Sequence, residues 1–117
     1  MIQIAYDPIY AHPLPDNHRF PMLKYELIPE QLLYEGTCVA ENFFDPQPVQ
    51  EKFILKAHTQ TYWDSLRNLT IDAKMVRRIG LPLSEQLILR ETIITQGTID
   101  CTSFAFENGI AMNVAGG

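Results

Sequence analysis

Cysteine is scarce in this chain: Cys38 and Cys101 are its only two in 117 residues, and they lie far apart. Two such residues read as reduced, partly buried thiols, which suits a cytoplasmic protein rather than a disulfide-stapled secreted one. Basic charge is also short. Nine Lys and Arg face fourteen Asp and Glu, for a net charge of −5. An acidic chain has no general attraction for nucleic acid or an anionic membrane surface, so neither is expected as a partner. No apolar run approaches the roughly 18 residues a bilayer span needs. The opening Met-Ile-Gln-Ile-Ala-Tyr-Asp-Pro lacks the basic region and apolar stretch of a signal peptide. Gly-x-Gly-x-x-Gly, Walker and Gly-x-Ser-x-Gly motifs are missing, which removes support for dinucleotide, phosphate-loop and serine-hydrolase readings. Internal repeats, low-complexity stretches and a dividing linker are absent too.

What remains is an ordinary globular balance, with 46% hydrophobic and 20% charged residues. Ile2 to Tyr6 alternates and reads as a first strand ending at Asp7-Pro8. Residues 11–21 hold three prolines and two histidines, so they form a long loop directly after that strand. Pro21 is expected to open a helix at its first position, with Met22, Leu23, Leu27, Leu32 and Leu33 as the apolar face and Gly36 as the stop. Pro29 is expected to kink or split it. Thr37 to Ala40 reads as a second strand, and Glu41 to Pro48 as extended, irregular chain. Val49 to Ala57 makes a helical turn.

Thr59 caps a helix to about Leu69 with Tyr62, Leu66 and Leu69 inward, and Asp72 caps a short one ending at Gly80. Ser84 caps the longest helix, about Glu85 to Glu107. Leu87, Ile94, Thr98, Cys101 and Ala105 recur along one face of it. Gly97 inside that helix costs about 1 kcal/mol relative to Ala, which signals a tight contact. Ile110 to Ala115 is almost wholly apolar and reads as a strand buried on both faces. Long helical connections between short strands indicate a parallel sheet, hence an α/β fold.

The last residues, Asn113 to Gly117, run a strand into a glycine pair. Ligands in open parallel sheets bind just past the carboxyl ends of strands. The chain is therefore expected to stop where a site begins, as a fragment would. Three parallel strands cut from a larger sheet leave an open edge, so self-association is expected. The histidines His12, His18 and His58 have no ligand spacing, and this chain is not expected to bind a metal. His58 reads as a packed structural histidine, Phe43-Phe44 and Tyr62-Trp63 as core aromatics, and Lys74, Arg77 and Arg78 as a solvated face.

Four segments together resemble the histone deacetylase superfamily. They are Tyr6-Asp7-Pro8 with Tyr10; His12-Pro13 followed by His18-Arg19-Phe20-Pro21-Met22; Ala57-His58-Thr59-Gln60-Thr61-Tyr62; and Gly97-Thr98-Ile99 with Gly109-Ile110-Ala111-Met112-Asn113-Val114-Ala115-Gly116-Gly117. The flavour is that of class IV deacetylases and the bacterial acetoin-utilisation and acetylpolyamine deacetylases. Each motif is weak alone; their order and spacing are what is specific. The match spans residues 1–117 but only about the first third of a typical family domain.

The resemblance implies the N-terminal portion of a three-layer α/β/α arginase/deacetylase-like fold, about three parallel strands with helical connections. It implies a zinc-dependent hydrolase acting on acetyl-lysine or acetyl-polyamine. Zinc and the family's catalytic histidine pair belong to polypeptide beyond Gly117, so no catalytic or metal residue is expected within the chain. By resemblance, Arg19 lines the internal channel near the acetyl end, or else is a surface arginine on a local carboxylate. His12 and Pro13 match the loop beside the tunnel, or a solvated loop. Leu81 and Pro82 match a tunnel-rim loop, or an ordinary turn. Gly116 and Gly117 match glycines beside the histidine pair, or a flexible tail. The alternative function is a non-catalytic small α/β binding module.

Overall fold

The computed structural model describes residues 1–116. Three short strands, β1 (Gln3–Ala5), β2 (Phe43–Phe44) and β3 (Ala111–Asn113), form one sheet in the order β2-β1-β3. Both pairings are parallel: Ile4 lies opposite Phe43 and Met112, and Ala5 opposite Phe44 and Asn113. The connections are helical. α1 (Lys24–Tyr34) joins β1 to β2; α2 (Glu51–Ile54), α3 (Gln60–Arg67), α4 (Ala73–Ile79) and α5 (Glu85–Asn108) lead from β2 to β3. The molecule is thus a small α/β domain with a parallel sheet flanked by helices. No helix among the described residues is long and apolar enough to cross a membrane.

Local chemistry explains the second half well. Thr59, Asp72 and Ser84 each accept a hydrogen bond from the backbone N–H three residues on, at 3.1, 2.8 and 3.1 Å, and so start α3, α4 and α5. Gly80 and Gly109 take positive φ where α4 and α5 stop. α3 ends at Arg67, two residues early, because Leu69 itself adopts φ +58 and turns the chain outward. Leu69 is therefore exposed rather than inward.

Four expectations in the first half need correction. The second strand is Phe43–Phe44, and Thr37 to Ala40 is not a strand. A turn of 3-10 helix over Ala40–Asn42 intervenes, and the Asn42 amide donates to the Ile2 carbonyl at 2.9 Å, which pins β2 beside β1. α1 begins at Lys24, not Pro21, because residues 21–25 first wind through tight turns such as Lys24 N–H to Pro21 C=O. It also runs unbroken through Pro29, which is buried. Finally, α1 is rolled away from the expected face. Tyr25 and Pro29 are buried, whereas Leu23 (60%), Leu27 (49%) and Leu33 (45%) stay exposed.

α5 lies across one face of the sheet and packs on β1 and β3. Leu87, Ile94 and Cys101 are buried on it as expected; Thr98 is exposed, and Arg90, Ile93 and Gly97 complete the inward stripe. β3 is not buried on both faces. Met112 is half exposed, whereas its neighbour Ile4 is buried, because β1 is central and β3 is an edge. Phe43 and Phe44 are half-buried and pack as aromatics, Phe44 on Phe104 at 4.9 Å and Phe43 on Tyr6 at 6.4 Å.

Candidate functional site

Chain order reverses beside β1: the polypeptide goes out to β2, then returns to the other side as β3. In open parallel sheets such a reversal leaves a crevice at the carboxyl ends of the strands, where ligands bind. At that edge the residues after β1 and after β3 meet α5, and Val114 N–H donates to Ala5 C=O at 3.0 Å. Tyr10, Met22, Tyr25, Ile93, Ile94 and Ala115 form the main hydrophobic cluster, with Leu81 packed against them.

A polar network crosses this cluster. Tyr10 Oη donates to Asn113 Oδ1 at 2.9 Å, and Asn113 Nδ2 donates to the Ile94 carbonyl at 3.0 Å and meets Thr98 Oγ1 at 3.2 Å. Ala115 N–H returns to Asn113 Oδ1 at 3.3 Å. One amide thereby fixes the end of β3, α5 and the loop after β1 together. Burial pushes the Tyr10 hydroxyl far above its ordinary value, with Cys101 and Asp7 adding to the shift, so it remains a donor. Burial likewise raises the Cys101 thiol, which donates to the Met112 carbonyl.

Arg90 is the residue that reading the sequence missed. It is buried, and its Nε donates to the Tyr10 carbonyl at 2.8 Å. Its guanidinium lies over the Tyr25 ring at 5.2 Å and pairs with Glu91 at the surface. A signal existed: Arg90 falls three residues after Leu87 and four before Ile94, on the inward stripe. A cation at an inward position of a core helix marks a buried polar contact.

Of the residues singled out beforehand, His12 is buried, not solvated, and its Nδ1 has no hydrogen-bond partner. Burial lowers its pKa, and the Arg90 charge lowers it further; the Pro82 carbonyl and Glu91 act the other way. The loop carrying Leu81 and Pro82 therefore meets the loop after β1. A second tie joins them: His18 Nε2 donates to the Gly80 carbonyl at 2.9 Å while His18 Nδ1 accepts from Phe20 N–H. Pro13 and Pro82 are exposed at the surface of this junction. Arg19 is exposed and, among the described residues, pairs with no carboxylate. Gly116 is exposed directly after buried Ala115, and Gly117 lies outside the described residues. His58 is exposed, its ring tilted 40° against Tyr62 at 5.3 Å, and is not a packed core histidine.

Because His12 is held neutral, acid is expected to destabilise the fold. The unfolded chain takes up a proton near histidine's ordinary value of about 6.5, whereas the folded chain resists until lower pH. The urea midpoint should be steady above that value and fall as pH drops below it, with a smaller fall in His12→Gln. A midpoint that rises on acidification would contradict the burial argument.

Among the described residues no three His, Cys, Asp or Glu side chains gather where they could hold a metal ion. They do not by themselves fit a zinc site. A separate apolar cleft of about 390 Å³ lies between α2, α3 and α5, lined by Phe53, Tyr62, Trp63, Leu66, Leu87 and Ile88 among others. Its lining is mainly apolar, with His58, Glu91, Thr92 and Thr95 among the polar groups.

The fold is a small α/β domain whose parallel sheet is flanked by helices, with Asn113 and Arg90 tying together the segments at its carboxyl edge. No family model matches the chain. It is similar to an uncharacterized protein of Picosynechococcus sp., 36% identical over 114 residues, which is 97% of this chain. The chain spans 38% of the length of that curated relative.

Proposed function

We propose that this chain is the N-terminal segment of a zinc-dependent deacetylase with an arginase/deacetylase-like α/β/α fold, acting on acetyl-lysine or acetyl-polyamine. The observation that carries the reading is the placement of Asn113 to Gly116. A parallel strand beside β1 delivers them to the carboxyl edge, next to the loop that holds His12, Pro13 and Arg19. In this reading Arg19, exposed and without an ion-pair partner, offers its fixed charge and fork of donors to the acetate end of the site. Leu81 and Pro82 shape the rim, and Gly116 lets substrate approach the backbone closely. The relative's greater length is consistent with further polypeptide completing the domain. That polypeptide would supply the zinc ligands and the groups that act on the amide, because the described residues hold no such set.

Two experiments test this. The 117-residue chain, assayed with added zinc on an acetyl-lysine peptide and on an acetyl-polyamine, should show no turnover. Chelator-sensitive hydrolysis by the chain alone would refute the division of labour. Reading the source gene past Gly117 decides the assignment itself: an in-frame histidine pair is expected within a few codons. A stop codon there would leave the non-catalytic binding module as the better account.

A further inference from the structure

α1 carries an apolar stripe that nothing among the described residues covers. Leu23, Leu27 and Tyr34 fall on one side of the helix at four- and seven-residue spacings, and are 60, 49 and 88% exposed. Glu26 and Glu30 run along the same side and are also exposed. Lys24 does not neutralise them: its Nζ is turned back over the Phe20 and Tyr25 rings, 5.1 Å from each. The opposite charge lies on α4. Lys74, Arg77 and Arg78 occupy one exposed face at three- and four-residue spacing, and none has a carboxylate at ion-pair distance among the described residues. His18, six residues before α1, bonds the Gly80 carbonyl that ends α4, so the segment leading into α1 is tied to the end of α4.

We infer that α1 of one copy docks on α4 of a second copy, and the reverse, in a two-fold dimer. The acidic–apolar stripe and the basic face are complementary in charge and in chemistry. The carboxylates of Glu26 and Glu30 accept from Lys74, Arg77 and Arg78, whose aliphatic stems cover Leu23 and Leu27. A guanidinium reaches the exposed Tyr34 ring. Because both surfaces sit on each copy, a two-fold axis uses each contact twice and closes the assembly. This interface does not depend on the deacetylase reading, and it differs from pairing across the open β3 edge.

Sedimentation equilibrium and light scattering on the 117-residue chain test it by charge exchange. The native chain should dimerise, less so as salt rises. Glu26→Lys/Glu30→Lys should weaken association at least about tenfold, and Lys74→Glu/Arg77→Glu should do the same. Mixing the two variants should restore a dimer, now a heterodimer, because each α1 then meets an α4 of opposite sign. Leu27→Gln, which changes no charge, should also weaken the native dimer. A monomeric native chain, variants that dimerise as the native chain does, or a mixture that stays monomeric would each overturn the inference.

Discussion

Gly97→Ala is expected to destabilise the fold by about 1–3 kcal/mol, and Gly97→Val to leave little cooperative unfolding at all. Helix propensity alone gives the opposite sign, since Ala in a helix interior is favoured over Gly by about 1 kcal/mol. Packing decides the outcome. A Cβ at position 97 would stand 2.8 Å from Asn113 Nδ2, 2.9 Å from Tyr10 Oη and 3.2 Å from Ala5 Cβ. These are not free ends of flexible side chains. Asn113 Nδ2 is held by the Ile94 carbonyl, and Tyr10 Oη by Asn113 Oδ1. Relieving the clash means breaking hydrogen bonds that join α5 to β3 and to the loop after β1. Urea unfolding followed by circular dichroism measures the change. A Gly97→Ala midpoint at or above that of the native chain would show that α5 does not press on the sheet there.

Arg90→Met should cost about 3 kcal/mol, while Glu91→Gln should cost under about 1 kcal/mol. The contrast follows from where each group sits. The Arg90 side chain is 5% exposed and its ion-pair partner Glu91 is 50% exposed, so that pair is largely a surface one. What burial makes expensive is the Tyr10 carbonyl, which accepts from Arg90 Nε and would be left without that donor. The packing of the guanidinium on Tyr25 is lost as well. Arg90→Lys should rescue little, because an ammonium lacks the planar fork that serves the carbonyl and the ring together. Equal losses from Arg90→Met and Glu91→Gln would transfer the weight to the ion pair.

Several parts of the molecule were legible because their causes are local. Thr59, Asp72 and Ser84 start helices by bonding a backbone N–H three residues away, and that distance is visible in the sequence. Gly97 announced a close contact by being a poor helix former in the middle of α5. The class of the sheet followed from the length of the helical connections. The elements that were misplaced depend on partners distant in the chain. Phe43–Phe44 is a strand because Asn42 reaches the Ile2 carbonyl and Phe43 falls into register with Ile4. Thr37 to Ala40 has comparable strand-forming residues but no such partner.

The candidate site divides along the same line. The loop after β1 and the end of β3 are the segments the sequence proposes for it, and the parallel pairing brings them to one edge. The sequence offers His12 a tunnel-side loop or a solvated one, neither of them buried, and does not mark Arg90 at all. Their burial comes from contacts across the fold, such as Arg90 with the Tyr10 carbonyl. The facing of α1 was also misread, since its leucines supply an apolar side without saying whether this domain covers it.

The sequence by itself determined the α/β class, the three later helices with their caps, and the segments that meet at the carboxyl edge. Capping, periodicity and backbone preference act over a few residues, so they are written in order along the chain. Tertiary structure alone decided the register of β2, the roll of α1, and the burial of His12 and Arg90. Each of those turns on desolvation and hydrogen bonding between groups far apart in sequence, and linear order does not specify which distant group will satisfy a given one.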